Sequence, residues 1–360
     1  MCIHIPIETK DLERQLKEVV FHIGIPKTGS SALQVFLARN RDVLLTKSVD
    51  YLQIGEIGLG FQGKISSGNG AFLARSLLPD GAEIKMKEPT RYIEEFITAV
   101  EQSQSDIGII SSELFVDVDK ASLRELVAGL RDRGVVSRAF YFIRSQVQFM
   151  SSTYVQQVKR HGCSLGPAEY VEKAYQHIPY LKVFSFFNNL CDIFSAENII
   201  CRSYDAASAQ KSGLFHALLS ALAIQSDRFD MNVEDINISI APKEIAIMLL
   251  LNRFSPRMKF SDLVVENAAR VGSVASGHVH NILPTQLACE IDRYFAKENA
   301  DLAETYFQRK VLFPIRPSTE QVEPISIDDL APSDLVNFFG GLLVRYDQRI
   351  ARLEERAQQA

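Results

Sequence analysis

Cysteine is scarce and scattered in this 360-residue chain: Cys2, Cys163, Cys191, Cys201 and Cys289 are odd in number and show no CxxC spacing. That pattern excludes a disulfide framework and a structural zinc site, and it fits a reducing compartment. Long apolar runs are also missing. The longest, Ala246 to Leu251, falls well short of the roughly 20 residues a spanning helix needs. The start, MCIHIPIETKDLERQ, has no basic n-region. A cytoplasmic protein without a transmembrane segment is therefore expected. Positive charge is not in excess either: the net charge is -5, which disfavours a nucleic-acid partner. There is no internal repeat and no low-complexity tract.

What the chain does have is a globular balance, 46% hydrophobic and 23% charged, and enough length to bury a sizeable core. Short β-branched and aromatic runs predict buried strands at Val19 to Ile25, Ile107 to Ser111, Ala139 to Ile143 and Ile199 to Ser203, with a weaker one over 49–54. Helical patterns lie between them, such as Ser122 to Arg131 with Leu123, Leu126, Val127 and Leu130 on one face. Alternating strands and helices predict an α/β fold, a P-loop-like doubly wound parallel sheet flanked by helices. The strand signal ends near residue 205. The expectation is an α/β core over 1–205 and a helical portion over 206–360 packed on it, as one continuous domain.

The tail APSDLVNFFGGLLVRYDQRIARLEERAQQA predicts an amphipathic terminal helix capped by Ser333 or Asp334, with Leu335, Phe339, Leu342, Tyr346 and Leu353 on one stripe. It either docks on its own chain or forms a homodimer contact. The glycine-rich segment 55–70, GEIGLGFQGKISSGNG, reads as a long loop, either beside the site or an ordinary surface connection.

The chemistry-bearing stretch is VVFHIGIPKTGSSALQVFLARN, residues 19–40. A buried strand runs through Pro-Lys-Thr-Gly-Ser-Ser into a helix, and in a doubly wound sheet such a loop lies at the strands' carboxyl ends, where ligands bind. Gly29 permits a tight turn, the amides of Gly29, Ser30 and Ser31 can face an anion, and the hydroxyls of Thr28, Ser30 and Ser31 add donors. Lys27 supplies a positive charge for a phosphate or for the oxygen leaving from it. It is not a Walker A sequence, because the lysine precedes the glycine by two residues. On pattern alone a plain strand-turn-helix corner also remains. A second element, RAFYFIRSQVQFMSSTYVQQVKRHG, ends a strand at Arg144 and continues as a helix with Val147, Met150, Tyr154 and Val158 buried; Ser152 lies eight positions after Arg144.

Together the two stretches resemble PAPS-dependent sulfotransferases, with most likeness to bacterial carbohydrate (Nod-factor-type) and Golgi heparan-type enzymes. The resemblance covers about the first 205 residues. It implies that Lys27, Thr28, Gly29, Ser30 and Ser31 hold the 5'-phosphosulfate, and that Arg144 and Ser152 hold the 3'-phosphate. Tyr204, in NIICRSYDAAS, resembles a strand-end tyrosine presented to adenine. The chain departs from the cytosolic members of the family in having no tryptophan and no terminal Arg-Lys-Gly motif.

Sulfuryl transfer also needs a proton acceptor for the attacking hydroxyl. Glu113, in DIGIISSELFVD, is the candidate base by likeness of position, with a helix-terminal carboxylate or an ion-pair partner as its structural alternative. His22, inside the first strand, is the rival. His278 and His280 form a lone HxH.

The implied activity moves a sulfuryl group from PAPS to a hydroxyl on a carbohydrate or glycolipid, with no metal required. A P-loop kinase or nucleotide hydrolase and a non-catalytic scaffold are the alternatives. The first predicts magnesium dependence and a Walker B aspartate at a strand end.

Overall fold

The computed structural model describes residues 17–54, 68–175, 178–232, 242–255, 263–264, 267, 282–313, 327–328 and 330–359. In chain order the elements are β1 (Glu18–Ile23), α1 (Ser30–Arg39), α2 (Arg41–Thr46), β2 (Val49–Tyr51), α3 (Ala71–Ser76), α4 (Pro89–Gln102) and β3 (Ile107–Ser112). A 3-10 turn (Glu113–Val116) leads on to α5 (Lys120–Asp132), β4 (Val136–Ile143), α6 (Gln146–His161), α7 (Pro167–Ala174), α8 (Val183–Phe194) and β5 (Ile199–Ser203). There follow α9 (Tyr204–Ser208), α10 (Gly213–Ala221), α11 (Pro242–Phe254), α12 (Thr285–Tyr294), α13 (Ala296–Thr305) and α14 (Pro332–Gln359). The chain divides into two compact units, Met1–Arg144 with Ser185–Val233, and Ser145–Phe184 with Glu234–Ala360.

The first unit is built on a five-stranded sheet of order β2-β3-β1-β4-β5 in which every pairing is parallel. β1 is central because it can be buried on both sides: Val19, Val20, Phe21 and Ile23 are each at most 1% exposed. A strand buried on both faces reads as a continuous apolar run rather than an alternating one. Neighbouring side chains still go to opposite faces. On one face Val20, Ile109, Phe140, Phe142 and Ile200 pack with Leu33, Phe36 and Leu37 of α1 and with Phe215, Leu218 and Leu219 of α10. Phe36 and Phe215 stack there with ring centroids 4.5 Å apart. On the other face Phe21 meets Phe96 of α4 at 6.0 Å and Phe194 of α8 at 5.5 Å. Burying each such ring contributes about 2–3 kcal/mol. Helices on both faces of a parallel sheet make it doubly wound, as the strand-helix alternation predicts.

Two winding directions meet at β1. The connection after β1 leads to β2 at one edge, while the connection after β3 crosses to β4 on the far side of β1. The carboxyl ends of the adjacent strands β1 and β3 therefore flank the point where the topology switches, the place where open α/β sheets hold ligands.

β1 ends at Ile23, two residues before the predicted end. The Ile25 amide turns back to the Ile23 carbonyl at 2.9 Å, and Pro26 has no amide to continue a ladder. β4 begins three residues earlier than predicted, and β5 matches its prediction. In α5, Asp119 caps the helix by accepting the Ser122 amide at 2.8 Å, and Leu123, Leu126 and Leu130 are buried.

Among its described residues the second unit is helical. Tyr154 and Val158 of α6 share a core with Ile245, Ala246, Met248 and Leu249 of α11 and with Phe338 of α14. The predicted buried face of α6, Val147, Met150, Tyr154 and Val158, is buried in full. Two polar devices fix this core. Gln146 and Asn299 exchange amide bonds of 2.8 and 3.1 Å, and Asn252 donates to the carbonyls of Val158 and Cys163 at 2.8 and 3.0 Å. α14 begins at Pro332, so neither Ser333 nor Asp334 is its cap. The Asp334 carboxylate instead accepts the Ala331 amide at 2.9 Å from inside the first turn. Among the described residues no helix is long and apolar enough to cross a membrane. Cys163, Cys191, Cys201 and Cys289 form no disulfide. Cys2, His278, His280 and residues 55–67 of the glycine-rich segment lie outside the described residues.

Candidate functional site

The loop after β1 is held in an unusual conformation. Lys27 has φ of +65° and Gly29 +78°, both in the left-handed region. Glycine takes that conformation freely, whereas lysine gives up on the order of 1 kcal/mol to do so. The loop tolerates little extra volume. A Cβ on Gly29 would lie 2.6 Å from Leu214 and 3.3 Å from the Tyr204 ring, and a Cβ on Gly24 would lie 3.0 Å from Ser30 and 3.2 Å from Glu113. Gly29 occupies the N-cap position of α1 without any side-chain cap, so the helix begins with amides not engaged by a capping side chain.

The hydroxyls of the loop differ in role. Thr28 is buried and donates to the Ile25 carbonyl at 2.6 Å, an internal brace for the turn. Ser30, also buried, donates to Glu113 Oε1 at 2.7 Å. Ser31 is half-buried on the first turn of α1. Glu113 reaches Ser30 because β3 ends beside β1, with Ile23 registered to Ser112 and the Gly24 amide bonded to the Ser112 carbonyl at 3.0 Å. Ser112 caps the 3-10 turn by accepting the Leu114 amide at 3.1 Å, and so fixes where Glu113 leaves the strand. The first loop and the β3 end, read separately from the sequence, are thus joined by a short hydrogen bond.

Arg144 follows β4, the other neighbour of β1. Its Nη1 donates to the Lys27 carbonyl at 2.8 Å, its Nε lies 3.7 Å from Asp205 Oδ1, and its guanidinium carbon sits 4.7 Å from the centre of the Tyr204 ring. Burial lowers its pKa, and Tyr204 and Asp205 oppose that shift. An arginine stays charged through such a change. A cation held to the backbone of an anion-type loop, over an aromatic ring and with one carboxylate beside it, keeps surplus donors for a ligand's anionic group. Tyr204 opens the short helix α9 directly after β5, and its ring is close to both Gly29 and the guanidinium.

Lys27, Thr28, Gly29, Ser30, Glu113, Arg144 and Tyr204 are therefore assembled on one unit at the carboxyl ends of β1, β3, β4 and β5. Ser152 lies half-buried on α6 of the second unit. Sequence reasoning missed three contributors: Asp205, the Lys27 carbonyl and Gly24. Asp205 had a signal, since it directly follows the singled-out tyrosine. A backbone carbonyl has none. His22 is only 1% exposed, its Nδ1 is 2.7 Å from the Ser111 hydroxyl, and burial pushes its pKa down to about 4. It is a neutral core histidine.

The donor set and the close packing around Gly29 and Gly24 fit the phosphate end of a nucleotide, with Arg144 in place for a second anionic group. No family model matches the chain, and no curated protein matches it. Solved structures that overlap with it include a sulfotransferase from Alicyclobacillus acidocaldarius (13% identity, 81% of this chain and 96% of that chain, TM-score 0.45). Two others are the sulfotransferase domain of the Synechococcus PCC 7002 olefin synthase (12% identity, 79% and 96%, TM-score 0.36) and the sulfotransferase domain from the curacin biosynthetic pathway (14% identity, 85% and 95%, TM-score 0.35). At such identities and TM-scores the overlaps say nothing of the chemistry.

Proposed function

We propose that the protein is a sulfotransferase that moves a sulfuryl group from PAPS to a hydroxyl of a carbohydrate or glycolipid acceptor. The observation that carries this reading is the Arg144 guanidinium, bonded to the Lys27 carbonyl and lying over Tyr204. It puts a second cationic centre one loop away from the phosphate cradle, as a nucleotide with phosphate groups at both ends of its ribose requires. PAPS supplies a sulfuryl group on a phosphate leaving group.

In this reading the amides of Gly29, Ser30 and Ser31 and the Lys27 ammonium hold the 5' end. Lys27 neutralises charge on the bridging oxygen as it departs. Arg144 holds the 3'-phosphate, and Tyr204 offers its ring to the adenosine. Ser152 enters as a 3'-phosphate ligand by resemblance alone. Glu113 takes the acceptor hydroxyl's proton. Its Oε1 already accepts one hydrogen bond, from Ser30, which orients the carboxylate toward the loop. The acceptor class rests on the resemblance to bacterial carbohydrate enzymes.

One observation favours a second reading, a magnesium-dependent nucleotide phosphotransferase or hydrolase. A loop hydroxyl bonded to a strand-end carboxylate is the pair that holds magnesium in P-loop NTPases, and Ser30 and Glu113 form such a pair. The displaced lysine and the buried arginine favour the sulfuryl reading. Incubation with labelled PAPS and a panel of oligosaccharides tests it: transfer without added magnesium supports sulfuryl chemistry, while magnesium-dependent ATP turnover without PAPS turnover sinks it.

A further inference from the structure

α14 carries two different apolar stripes where the sequence suggests one. Leu335, Phe338 and Leu342 pack into the core of the second unit. Beside them Val336, Phe339, Leu343, Tyr346, Ile350 and Leu353 are 45–70% exposed. These six recur at steps of three, four, three, four and three residues, the a and d positions of a heptad. Every residue from Tyr346 to Ala357 is exposed. An exposed helical arm of about twelve residues is marginal in water on its own, so its apolar seam calls for a second helix.

We infer that the seam pairs with that of a second copy of this chain as a parallel two-stranded coiled coil. The flanking charges choose both the occupant and the orientation. With Val336, Leu343 and Ile350 at a, the g positions carry Arg349 and Arg356 and the e positions carry Asp347 and Glu354. In a parallel pair each g residue faces the partner's e residue five places on, so Arg349 of each chain meets Glu354 of the other, twice by symmetry. In an antiparallel pair g faces g and e faces e, which sets arginine against arginine and carboxylate against carboxylate. Val336 and Ile350 at a with Leu353 at d suit two strands. Gly340, at the e position of the first heptad, has open space around it and leaves room for a close approach.

Sedimentation velocity of the full chain at micromolar concentration tests this. The expected mass is twice the 40.4 kDa of one chain. Either charge reversal, Arg349→Glu or Glu354→Arg, raises the dimer Kd about tenfold or more, and the double swap restores it. Leu353→Cys then gives an interchain disulfide under mild oxidation, mapped by mass spectrometry to the two copies of the 353 peptide. A chain that stays monomeric, a dimer indifferent to Ile350→Asp, or a dimer whose 353 thiols do not join overturns the inference. All the substituted positions are exposed, so folding is not at stake.

Discussion

Arg144 Nη1 donates to the carbonyl of Lys27 at 2.8 Å, across 117 residues of chain. The bond ties the strand-end cation to one of the two left-handed residues of the loop. Charge, loop shape and aromatic platform are therefore set together, and altering one should move the others.

Arg144→Lys is the first test of that coupling. Lysine keeps the charge but loses the planar fork, the carbonyl bond and the stacking on Tyr204. Affinity for PAP, the desulfated product of PAPS, should fall by one to two orders of magnitude, since a hydrogen bond to a charged group is worth about 1.5–3 kcal/mol. Calorimetric titration reads the change. Unaltered affinity would remove Arg144 from the site.

Lys27→Gly separates stability from function. Glycine adopts φ of +65° freely, so the strain is relieved, and unfolding free energy should hold steady or rise by up to about 1 kcal/mol. Sulfuryl transfer should be lost with the ammonium. A variant that folds well and turns over at the parental rate contradicts the role given to the side chain.

Glu113→Gln keeps an oxygen for the Ser30 hydroxyl and removes the proton acceptor. Stability should change little, while kcat falls about 100-fold to 10,000-fold with the KM for PAPS nearly constant. A loss confined to KM would make Glu113 a binding group.

His22 predicts a pH signature of the fold rather than of the reaction. Its folded pKa of about 4 lies below the unfolded value of 6.5, so the unfolded chain binds the extra proton between those limits. The stabilisation is present in full above pH 6.5 and is lost as the pH falls toward 4, about 3 kcal/mol in all. Urea unfolding across that range should show a slope that His22→Gln reduces. Equal slopes in both proteins would mean that His22 is not held neutral.

Much of the fold is legible in the sequence because strands buried on both faces announce themselves as apolar runs, unbroken at Ala139 to Ile143 and interrupted only by His22 at Val19 to Ile23. What misleads is local. The sequence pattern carries the strand after Val19 on to Ile25, but Pro26 and the back-turned Ile25 amide end it at Ile23. The sequence pattern puts Phe339 on the stripe with Leu335 and Leu342, but the adjacent Phe338 is the one that docks with them, and Phe339 is exposed. At the site, the lysine, serines, glutamate and arginine are visible as residue types at strand ends. Their joining is not, because the Ser30–Glu113 bond and the Lys27 carbonyl depend on β1 lying between β3 and β4, an order that no local pattern encodes.

In the proposed function the loop and Arg144 together bind a nucleotide phosphorylated at both 5' and 3'. The direct measurement is calorimetric titration of the full chain with PAP and with ADP, each with and without magnesium. PAP should bind at micromolar concentration without magnesium, about tenfold or more tightly than ADP. Binding of magnesium-ADP as tightly as PAP, or no binding of PAP, would contradict it.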